Sequence, residues 1–489
     1  MACSIPTAIR LLTRWSVALL VTVSVQAQLD LPPQLSDGMV VQRDQPIPVW
    51  GRGTPGGQVS VMLGDDVHRT TIDSAGSWSV ELDVRPAGGP LVLAVESGGV
   101  RIDINDVLVG DVWLCSGQSN MQWPLRQTSR FEVDGPTMID DRLRLFTVDR
   151  RVAPEPVPDL VGKQRWSAAT PESMASFSGV SAYFGLELRR EVGIPIGLVH
   201  SSWGGTRAES WTPRADIEAG PPMVAALMDH WALRLPEVTG EVTLEQPGSL
   251  YNAMIHPLRR QPIAGVIWYQ GEANAARAGQ YRDLLPTLID SWRRIFDDPG
   301  LPFGIVQLAN FMRPASEPED TPWARLRDAQ LHAAQTVPGV GLVCAIDIGD
   351  ANDIHPRNKR DVGLRLARWA LADVYGIDVV PSGPVAADHA IEGDQMRIVF
   401  EHADALQTTD GEAPLSFTIA GEDRVFHNAS ARIEGRSVVV RSDAVKAPVA
   451  VRYAWANNPR VNLVNGEALP AVPFRTDDWP GVTSERTHP

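Results

Sequence analysis

A serine and a histidine suited to acyl-transfer chemistry each follow an apolar run of the sequence. Residues 107–116 are rich in β-branched and aromatic side chains and stop at a turn of small and polar residues that contains Ser119. Residues 339–347 form a second apolar run, and the loop after it contains His355. A serine hydroxyl is a weak nucleophile at neutral pH and needs a neighbouring base to take its proton. The pattern therefore predicts Ser119 as a nucleophile and His355 as its general base.

Two more apolar runs lie between these and also end in glycine-containing segments. Residues 196–206 begin with an apolar run and continue into Gly204 and Gly205, and residues 264–274 begin with another and continue into Gly271. Short apolar runs bounded by turn residues are typical of buried strands. Open α/β sheets bind ligands at the carboxyl ends of parallel strands. We therefore expect the four strand ends to meet at one crevice.

Helical patterns alternate with these strands. Apolar side chains recur at helical spacing in residues 180–192, 281–296 and 359–374. Strands that alternate with helices indicate a parallel sheet covered by helices. The sequence thus predicts an α/β catalytic core over residues 107–379.

Both flanks of this core have a different pattern, with short alternating runs and turns rich in Gly and Pro. Residues 28–106 predict an N-terminal β-sandwich, and residues 380–480 predict a C-terminal β-sandwich followed by a tail at 481–489. We expect the N-terminal β-sandwich to serve as scaffold, with carbohydrate binding as the alternative.

The first 27 residues have the composition of an export signal. Arg10 and Arg14 precede an apolar run, and residues 25–27 form a small-x-small cleavage sequence. The run is shorter than the roughly 20 residues that a bilayer-spanning helix needs. We expect cleavage after Ala27, export to the periplasm or the extracellular space, and no membrane association of the mature form.

Charge and cysteine content narrow the class of protein further. The net charge of −15 over 489 residues argues against a nucleic-acid partner, which would require a basic surface. Cys3 lies in the predicted signal, whereas Cys115 and Cys344 lie in apolar strands and are expected to be buried free thiols rather than a disulfide. The sequence contains no Cys/His metal-binding pattern, so we expect neither a metal nor a cofactor.

Four blocks of this sequence together resemble the sialate O-acetylesterase group of the SGNH hydrolases. The blocks are Gly117-Gln118-Ser119-Asn120-Met121, Trp203-Gly204-Gly205-Thr206, Trp268-Tyr269-Gln270-Gly271-Glu272 and Asn352-Asp353-Ile354-His355-Pro356. The resemblance extends over about residues 31–479. It implies a flavodoxin-like three-layer α/β/α core with a parallel sheet, and a serine esterase that removes O-acetyl groups from sugars; with the predicted export signal, we expect a secreted esterase. Related bacterial enzymes act on acetylated plant polysaccharides, so xylan and xyloglucan stand as alternative substrates to sialic acid.

Each candidate residue receives a role from this reasoning. Ser119, His355 and Asp353 form the predicted catalytic triad. The backbone N–H of Ser119 is a predicted oxyanion donor, and the resemblance implies two more, the N–H of Gly205 and the side-chain amide of Gln270. The predicted substrate-binding residues are Gln118, Asn120, Trp203, Arg207, Glu272 and Asn274, with Trp123 and Trp211 as further candidates for stacking on a sugar ring.

The residue that orients His355 is left open by the sequence. SGNH hydrolases usually carry an Asp three positions before the catalytic His, where this chain has Asn352. Asp353 is the nearest carboxylate in sequence, Asp350 and Glu272 are rivals, and a backbone carbonyl is also physically adequate.

Two other classes of function are compatible with the sequence. A secreted glycan-binding protein with an inactive hydrolase core would have similar β-rich flanks, but it has no need for a nucleophile, a base and oxyanion donors together. A peptidase is disfavoured because the sequence blocks are those of an esterase.

Overall fold

The computed structural model describes residue 1 and residues 29–234 and 242–483. Apart from residue 1, the predicted export signal lies outside the described residues, as do residues 484–489 of the predicted tail. Among the described residues, no helix is both long and apolar enough to cross a membrane.

The N-terminal part consists of short strands arranged in two sheets. Its strands are β1 (Leu29–Asp30), β2 (Val40–Gln42), β3 (Ile47–Gly53), β4 (Gln58–Leu63), β5 (Asp66–Thr71), β6 (Ser77–Leu82), β7 (Gly88–Ser97) and β8 (Val100–Gly117). One sheet contains β1, β3 and β6. In the other, β2 and β7 pair with β8, and β4 pairs with β7 and β5. Along β4, Val59, Val61 and Leu63 are buried while the residues between them are partly exposed. This alternation is typical of a strand with one face on the core.

Strand β8 belongs to the N-terminal part and to the core at once. Its first half pairs with β7 and β2, for example Leu108 with Val40. Its second half, from Asp111 onward, pairs with parallel strands of the core. The predicted boundary between residues 106 and 107 therefore lies inside one continuous strand, which fixes the N-terminal part directly to the catalytic sheet.

Strand β8 is the central strand of the core sheet. The other strands of this sheet are β9 (Asp140–Thr147), β10 (Ser167–Ala169), β11 (Ile196–Ser202), β12 (Gly265–Tyr269), β13 (Phe303–Val306) and β14 (Val340–Val343). The order is β10-β9-β11-β8-β12-β13-β14, and every pair from β9 to β14 is parallel. Apart from β9 and β10, the order in chain numbering is 2-1-3-4-5. The predicted α/β core with a largely parallel sheet is confirmed.

Strand β14 is shorter than the apolar run at residues 339–347 predicts. It pairs with β13, and that ladder ends at Val306 and Val343. Beyond this pair the chain leaves the sheet, and the thiol of Cys344 approaches the carbonyl oxygen of Ala471 in the C-terminal part. Cys344 and Ile346 are buried in the C-terminal part, whereas Ala345 stays in the α/β core.

Helices cover both faces of the core sheet. They are α1 (Ser119–Gln122), α2 (Phe131–Asp134), α3 (Pro171–Ser176), α4 (Gly179–Val192), α5 (Arg214–Glu218), α6 (Pro222–Arg234), α7 (Ala278–Ile295), α8 (Pro322–Thr336) and α9 (Lys359–Asp373). Trp113 and Cys115 of β8 pack against α4 and α9, whereas Val112 and Leu114 face the layer that contains α7 and α8. The predicted helices at 180–192, 281–296 and 359–374 correspond to α4, α7 and α9.

The C-terminal part again consists of strands. They are β15 (Val385–Glu392), β16 (Gln395–Glu401), β17 (Gln407–Thr408), β18 (Phe417–Ala420), β19 (His427–Asn428), β20 (Ser430–Glu434), β21 (Ser437–Arg441), β22 (Ala450–Tyr453), β23 (Leu463–Val464) and β24 (Phe474–Arg475). Two of its sheets have the orders β15-β16-β21-β20 and β19-β18-β22-β24. Cys115 and Cys344 are both buried and free, so the prediction of two unpaired thiols is confirmed.

Candidate active site

Ser119 lies at the carboxyl end of the central strand β8, where helix α1 begins. The turn before it depends on Gly117, which has a φ of +139°. A Cβ at this position would lie 2.1 Å from the carbonyl oxygen of Tyr269, so only glycine lets the turn pack this closely on β12. Ser119 itself is partly exposed, whereas Gln118 and Asn120 on either side are buried.

His355 lies in the loop between β14 and α9, with 28% of its side chain exposed. Asp353 Oδ1 accepts a hydrogen bond from the backbone N–H of His355 at 2.9 Å and lies 3.5 Å from its Nδ1. The ring of Trp123 stacks on the imidazole, with the centroids 4.9 Å apart and the planes 19° from parallel.

Burial lowers the pKa of His355, and the Lys359 cation lowers it further, while Asp353 opposes both effects. A lowered pKa keeps the imidazole neutral at physiological pH. This is the form that a general base requires.

One buried amide joins the Ser119 turn to the His355 loop. Asn120, the residue after Ser119, donates from Nδ2 to the carbonyl oxygen of Ile354 at 3.1 Å, and Ile354 precedes His355. The same nitrogen donates to Glu272 Oε1. The tertiary structure therefore brings the predicted nucleophile and base to the same end of the sheet, in loops that touch each other.

Gly204 lies against Ser119 on another side, and Gly205 follows it in the chain. A Cβ at position 204 would lie 3.2 Å from the Cβ of Ser119, and the N–H of Gly204 donates to Gln122 Oε1 at 2.6 Å. Gly205 has a φ of +76°, is exposed, and would meet no atom within 4 Å if it carried a Cβ. The left-handed conformation, rather than lack of space, explains the glycine at 205.

Gln270 lies beneath the crevice and not on its surface. Its side chain is fully buried, and Nε2 donates to the carbonyl oxygen of Thr206 at 3.3 Å and to Asn274 Oδ1 at 2.7 Å. Its Oε1 has no hydrogen-bond partner among the described residues. Both N–H groups are thus used inside the protein, so this orientation does not supply the oxyanion donor that the sequence predicts.

Asn274 extends this buried polar group toward an ion pair. Its Oδ1 also accepts the backbone N–H of Ala208 at 3.0 Å, and its Nδ2 donates to Glu209 Oε2 at 2.9 Å. Glu209 pairs with Arg277, and these two side chains are 3% and 2% exposed. The network holds the loop after β11 against the loop after β12, a role that the sequence did not reveal.

Three of the predicted substrate-binding residues are part of this buried scaffold. Gln118, Asn120 and Asn274 are 3%, 1% and 2% exposed. Gln118 Oε1 accepts the backbone N–H groups of Gly271 and Ala273 at 3.4 and 3.3 Å. Because both amide atoms of Asn120 and Asn274, and the side-chain oxygen of Gln118, bind other protein groups, we revise the predicted sugar contacts at these three positions to a supporting role.

Trp203 and Arg207 remain partly exposed beside the two glycines. The guanidinium of Arg150 lies 5.6 Å from the ring centroid of Trp203, and Arg207 lies 3.7 Å from Glu245 Oε2. Both residues remain candidates for contact with a sugar. Trp211, by contrast, is fully buried in the core and therefore does not present a face to a sugar.

Glu272 and Lys359 carry opposite charges on either side of the Asn120 amide. Burial raises the pKa of Glu272, and Lys359 partly counteracts this. Lys359 is fully buried, which lowers its pKa to about 7 against the opposing influence of Glu272 and Asp353. The sequence analysis did not identify Lys359 as part of the site. The composition could have pointed to it, because only three of the 44 Lys and Arg residues are lysines and one of them follows His355 by four positions.

Of the three carboxylates considered for orienting His355, the geometry favours Asp353. Asp350 Oδ1 accepts the backbone N–H of Asn352 at 2.8 Å, and Glu272 binds Asn120. Within the described ranges, no group of three or more His, Cys, Asp or Glu side chains is arranged so that it could hold a metal ion.

The chain is similar to known proteins over almost its whole length. Residues 109–372 match the family described as carbohydrate esterase, sialic acid-specific acetylesterase. A sialate O-acetylesterase from Mus musculus is 33% identical over 489 residues, covering 87% of this chain and 90% of the mouse protein. The Homo sapiens sialate O-acetylesterase is 29% identical over 497 residues, covering 92% of this chain and 93% of the human protein.

A solved structure is similar at the level of the fold and the sequence. The crystal structure of a carbohydrate acetylesterase from Xanthomonas citri superposes with a TM-score of 0.85 and 43% sequence identity. The match covers 92% of this chain and all of that chain.

Proposed function

We propose that this chain, which belongs to the carbohydrate esterase family of sialic acid-specific acetylesterases, removes O-acetyl groups from sugars through an acetyl-enzyme formed on Ser119. The protein is a carboxylic ester hydrolase, and its substrate class is the O-acetylated carbohydrate. The observation that supports this particular mechanism is the contact between the Ser119 turn and the His355 loop through Asn120.

The reaction proceeds in two acyl transfers. Ser119 Oγ attacks the acetyl carbonyl carbon while His355 takes the hydroxyl proton, and the tetrahedral intermediate then collapses as the bond to the sugar oxygen breaks. His355 returns the proton to that oxygen, so the sugar leaves as an alcohol. Water next attacks the acetyl-enzyme with His355 again as base, which releases acetate and restores Ser119.

Two backbone N–H groups are assigned to the oxyanion. Ser119 is the first residue of α1, where N–H groups have no acceptor within the helix. Gly205 presents exposed backbone next to Gly204, which packs on the nucleophile. Gln270 holds the Gly205 loop from below through its bond to Thr206, and so acts on the oxyanion site indirectly.

The sheet order and the two-sided helical cover support a finer classification of the fold. We assign residues 107–379 to a flavodoxin-like three-layer SGNH hydrolase core, because the order 2-1-3-4-5 is the flavodoxin-like one. The flanking sheets of the N- and C-terminal parts fit the two predicted β-sandwiches. From the sequence of residues 1–27 we also propose export and cleavage after Ala27, which N-terminal sequencing of the mature protein tests.

The sugar itself is recognised at the mouth of the crevice. Trp203 offers an aromatic ring and Arg207 a guanidinium, the groups that contact sugar rings and hydroxyls. Acetate release from O-acetylated sialic acid, acetylated xylan and acetylated xyloglucan, each compared by kcat/KM, identifies the preferred glycan.

The mechanism is tested by hydrolysis of p-nitrophenyl acetate. Ser119→Ala is expected to reduce turnover by at least about 1000-fold, as for loss of the nucleophile in other Ser-His enzymes. Ser176→Ala, at an exposed position of α3, is the matched control and retains full activity. Mass spectrometry of a quenched reaction should find the acetyl group on the peptide that contains Ser119. Equal rates for wild type and Ser119→Ala would instead favour a glycan-binding protein with an inactive core.

A further inference from the structure

Three sequence blocks that are far apart in the chain meet at the side chain of Asn120. Its Nδ2 donates to Glu272 in the loop after β12 and to the carbonyl oxygen of Ile354 in the His355 loop. Its Oδ1 accepts a hydrogen bond from Lys359 Nζ at the start of α9. The amide thus has two donor contacts and one acceptor contact, which together define which way it points.

Lys359 is the one member of this group that carries a positive charge. It is fully buried, and Nζ also lies 5.5 Å from the ring centroid of Tyr269. A chain that contains only three lysines among its 44 basic residues uses one of them here. Unlike a planar guanidinium, the compact ammonium of lysine is a single point charge on a flexible stem.

We propose that Lys359 is a positioning residue, which fixes the Asn120 amide so that the Ser119 turn and the His355 loop are held in register. This inference rests on the proposed roles of Ser119 and His355. In its ammonium form Lys359 can only donate, so it requires Oδ1 of Asn120 on its own side and leaves Nδ2 for Glu272 and Ile354. If the amide turned over, its oxygen would face two acceptors, and the bond to the His355 loop would be lost.

The same ammonium acts on His355 through its charge. Burial and Lys359 lower the pKa of His355, and Asp353 raises it. The negative charge of Glu272 raises the pKa of Lys359 and so favours its ammonium form. Because Lys359 lowers the pKa of His355, removing the ammonium should raise it. The titration of His355 therefore reports the charge of Lys359, whereas kcat reports the placement of the Asn120 amide.

Lys359→Met tests the proposal, since methionine preserves much of the side-chain length without the charge. We expect kcat to fall about 10- to 100-fold, the range that follows when catalytic groups are misplaced by around 1 Å, with little change in KM. The acidic midpoint of the profile of kcat/KM against pH should rise. Lys446→Met, at an exposed position in the C-terminal part, is the matched control and should match wild type in both measurements.

The double variant Lys359→Met/Glu272→Gln separates positioning from charge compensation. It removes both buried charges, so it should fold even if the single variant does not, and a glutamine oxygen still accepts the bond from Asn120. We expect kcat to remain low in the double variant. A return to the wild-type kcat would overturn the proposal, because Lys359 would then serve only to neutralise Glu272.

A third measurement leaves Lys359 itself unchanged. Lysine-selective ¹³C labelling should give three signals, which Lys163→Arg and Lys446→Arg assign, and the Lys359 signal should titrate near its pKa of about 7. Titration at the ordinary lysine pKa of about 10.4 would contradict the buried network. If Ser119→Ala stays active, the proposed function fails; if Ser119→Ala is inactive while Lys359→Met matches wild type in kcat and pH midpoint, only this inference fails.

Discussion

Replacing Asp353 by asparagine removes a charge next to His355 and leaves the backbone contact in place. In the wild type, Asp353 Oδ1 accepts the His355 N–H at 2.9 Å and lies 3.5 Å from Nδ1. The asparagine oxygen still accepts the N–H, so the loop keeps its shape. The substitution therefore isolates the effect of the carboxylate on the imidazolium that forms during proton transfer.

The geometry sets the size of the expected effect. Opposite unit charges 3.5 Å apart attract by about 1 kcal/mol at the dielectric constant of water and about 5 kcal/mol at an effective value of 20. Because 41% of the Asp353 side chain is exposed, solvent screening favours the lower end, about 1–2 kcal/mol. We thus expect kcat to fall about 5- to 30-fold, since 1.36 kcal/mol corresponds to tenfold. A buried, well-aligned triad aspartate would cost about 10⁴-fold.

The assay is hydrolysis of p-nitrophenyl acetate as a function of pH. Asp353 raises the pKa of His355, so its replacement should move the acidic midpoint of kcat/KM downward, opposite to the shift expected for Lys359→Met. Asp350→Asn is the matched control, because its carboxylate binds the Asn352 N–H and not the imidazole. This control should retain the wild-type rate and midpoint.

Three results would refute the reasoning. An unchanged rate and midpoint in Asp353→Asn would assign the orientation of His355 to a backbone carbonyl. A loss near 10⁴-fold would require a closer, drier contact than 3.5 Å at 41% exposure. A larger effect for Asp350→Asn than for Asp353→Asn would identify the other carboxylate as the partner.

Two further substitutions address the surroundings of the site. Trp123→Leu removes the ring that is stacked on His355. It should lower kcat about 2- to 30-fold, because an aromatic face stabilises an adjacent cation by about 0.5–2 kcal/mol. A higher KM at constant kcat on an acetylated sugar would instead identify Trp123 as a residue that stacks on the sugar. Arg277→Met leaves the buried Glu209 carboxylate without its cation and should destabilise the core by about 3–5 kcal/mol, measured as a lower urea midpoint. Arg277→Met/Glu209→Gln should regain part of that stability, and equal midpoints for wild type and the single variant would contradict the role of the ion pair.

The sequence by itself determined the elements and the ends of the strands that carry the chemistry. Apolar runs stop where glycine and polar residues begin, and this pattern correctly predicted strands within residues 196–206 and 264–274, where β11 and β12 lie. The helical spacing of apolar residues likewise predicted α4, α7 and α9 within three residues at each end. Such signals are local, because the spacing of buried side chains along a helix or strand can be read from residues that are close together in the sequence.

Only the tertiary structure decided what the polar residues around the crevice do. Asn120, Gln270 and Asn274 look in the sequence like groups for a ligand, yet their bonds go to Ile354, Thr206 and Glu209. Likewise, β14 is shorter than its apolar run because its ladder with β13 ends first. Whether an amide faces a crevice or another loop depends on which distant segment packs against it. That choice is made by contacts between residues far apart in the chain, and local sequence patterns carry no record of it.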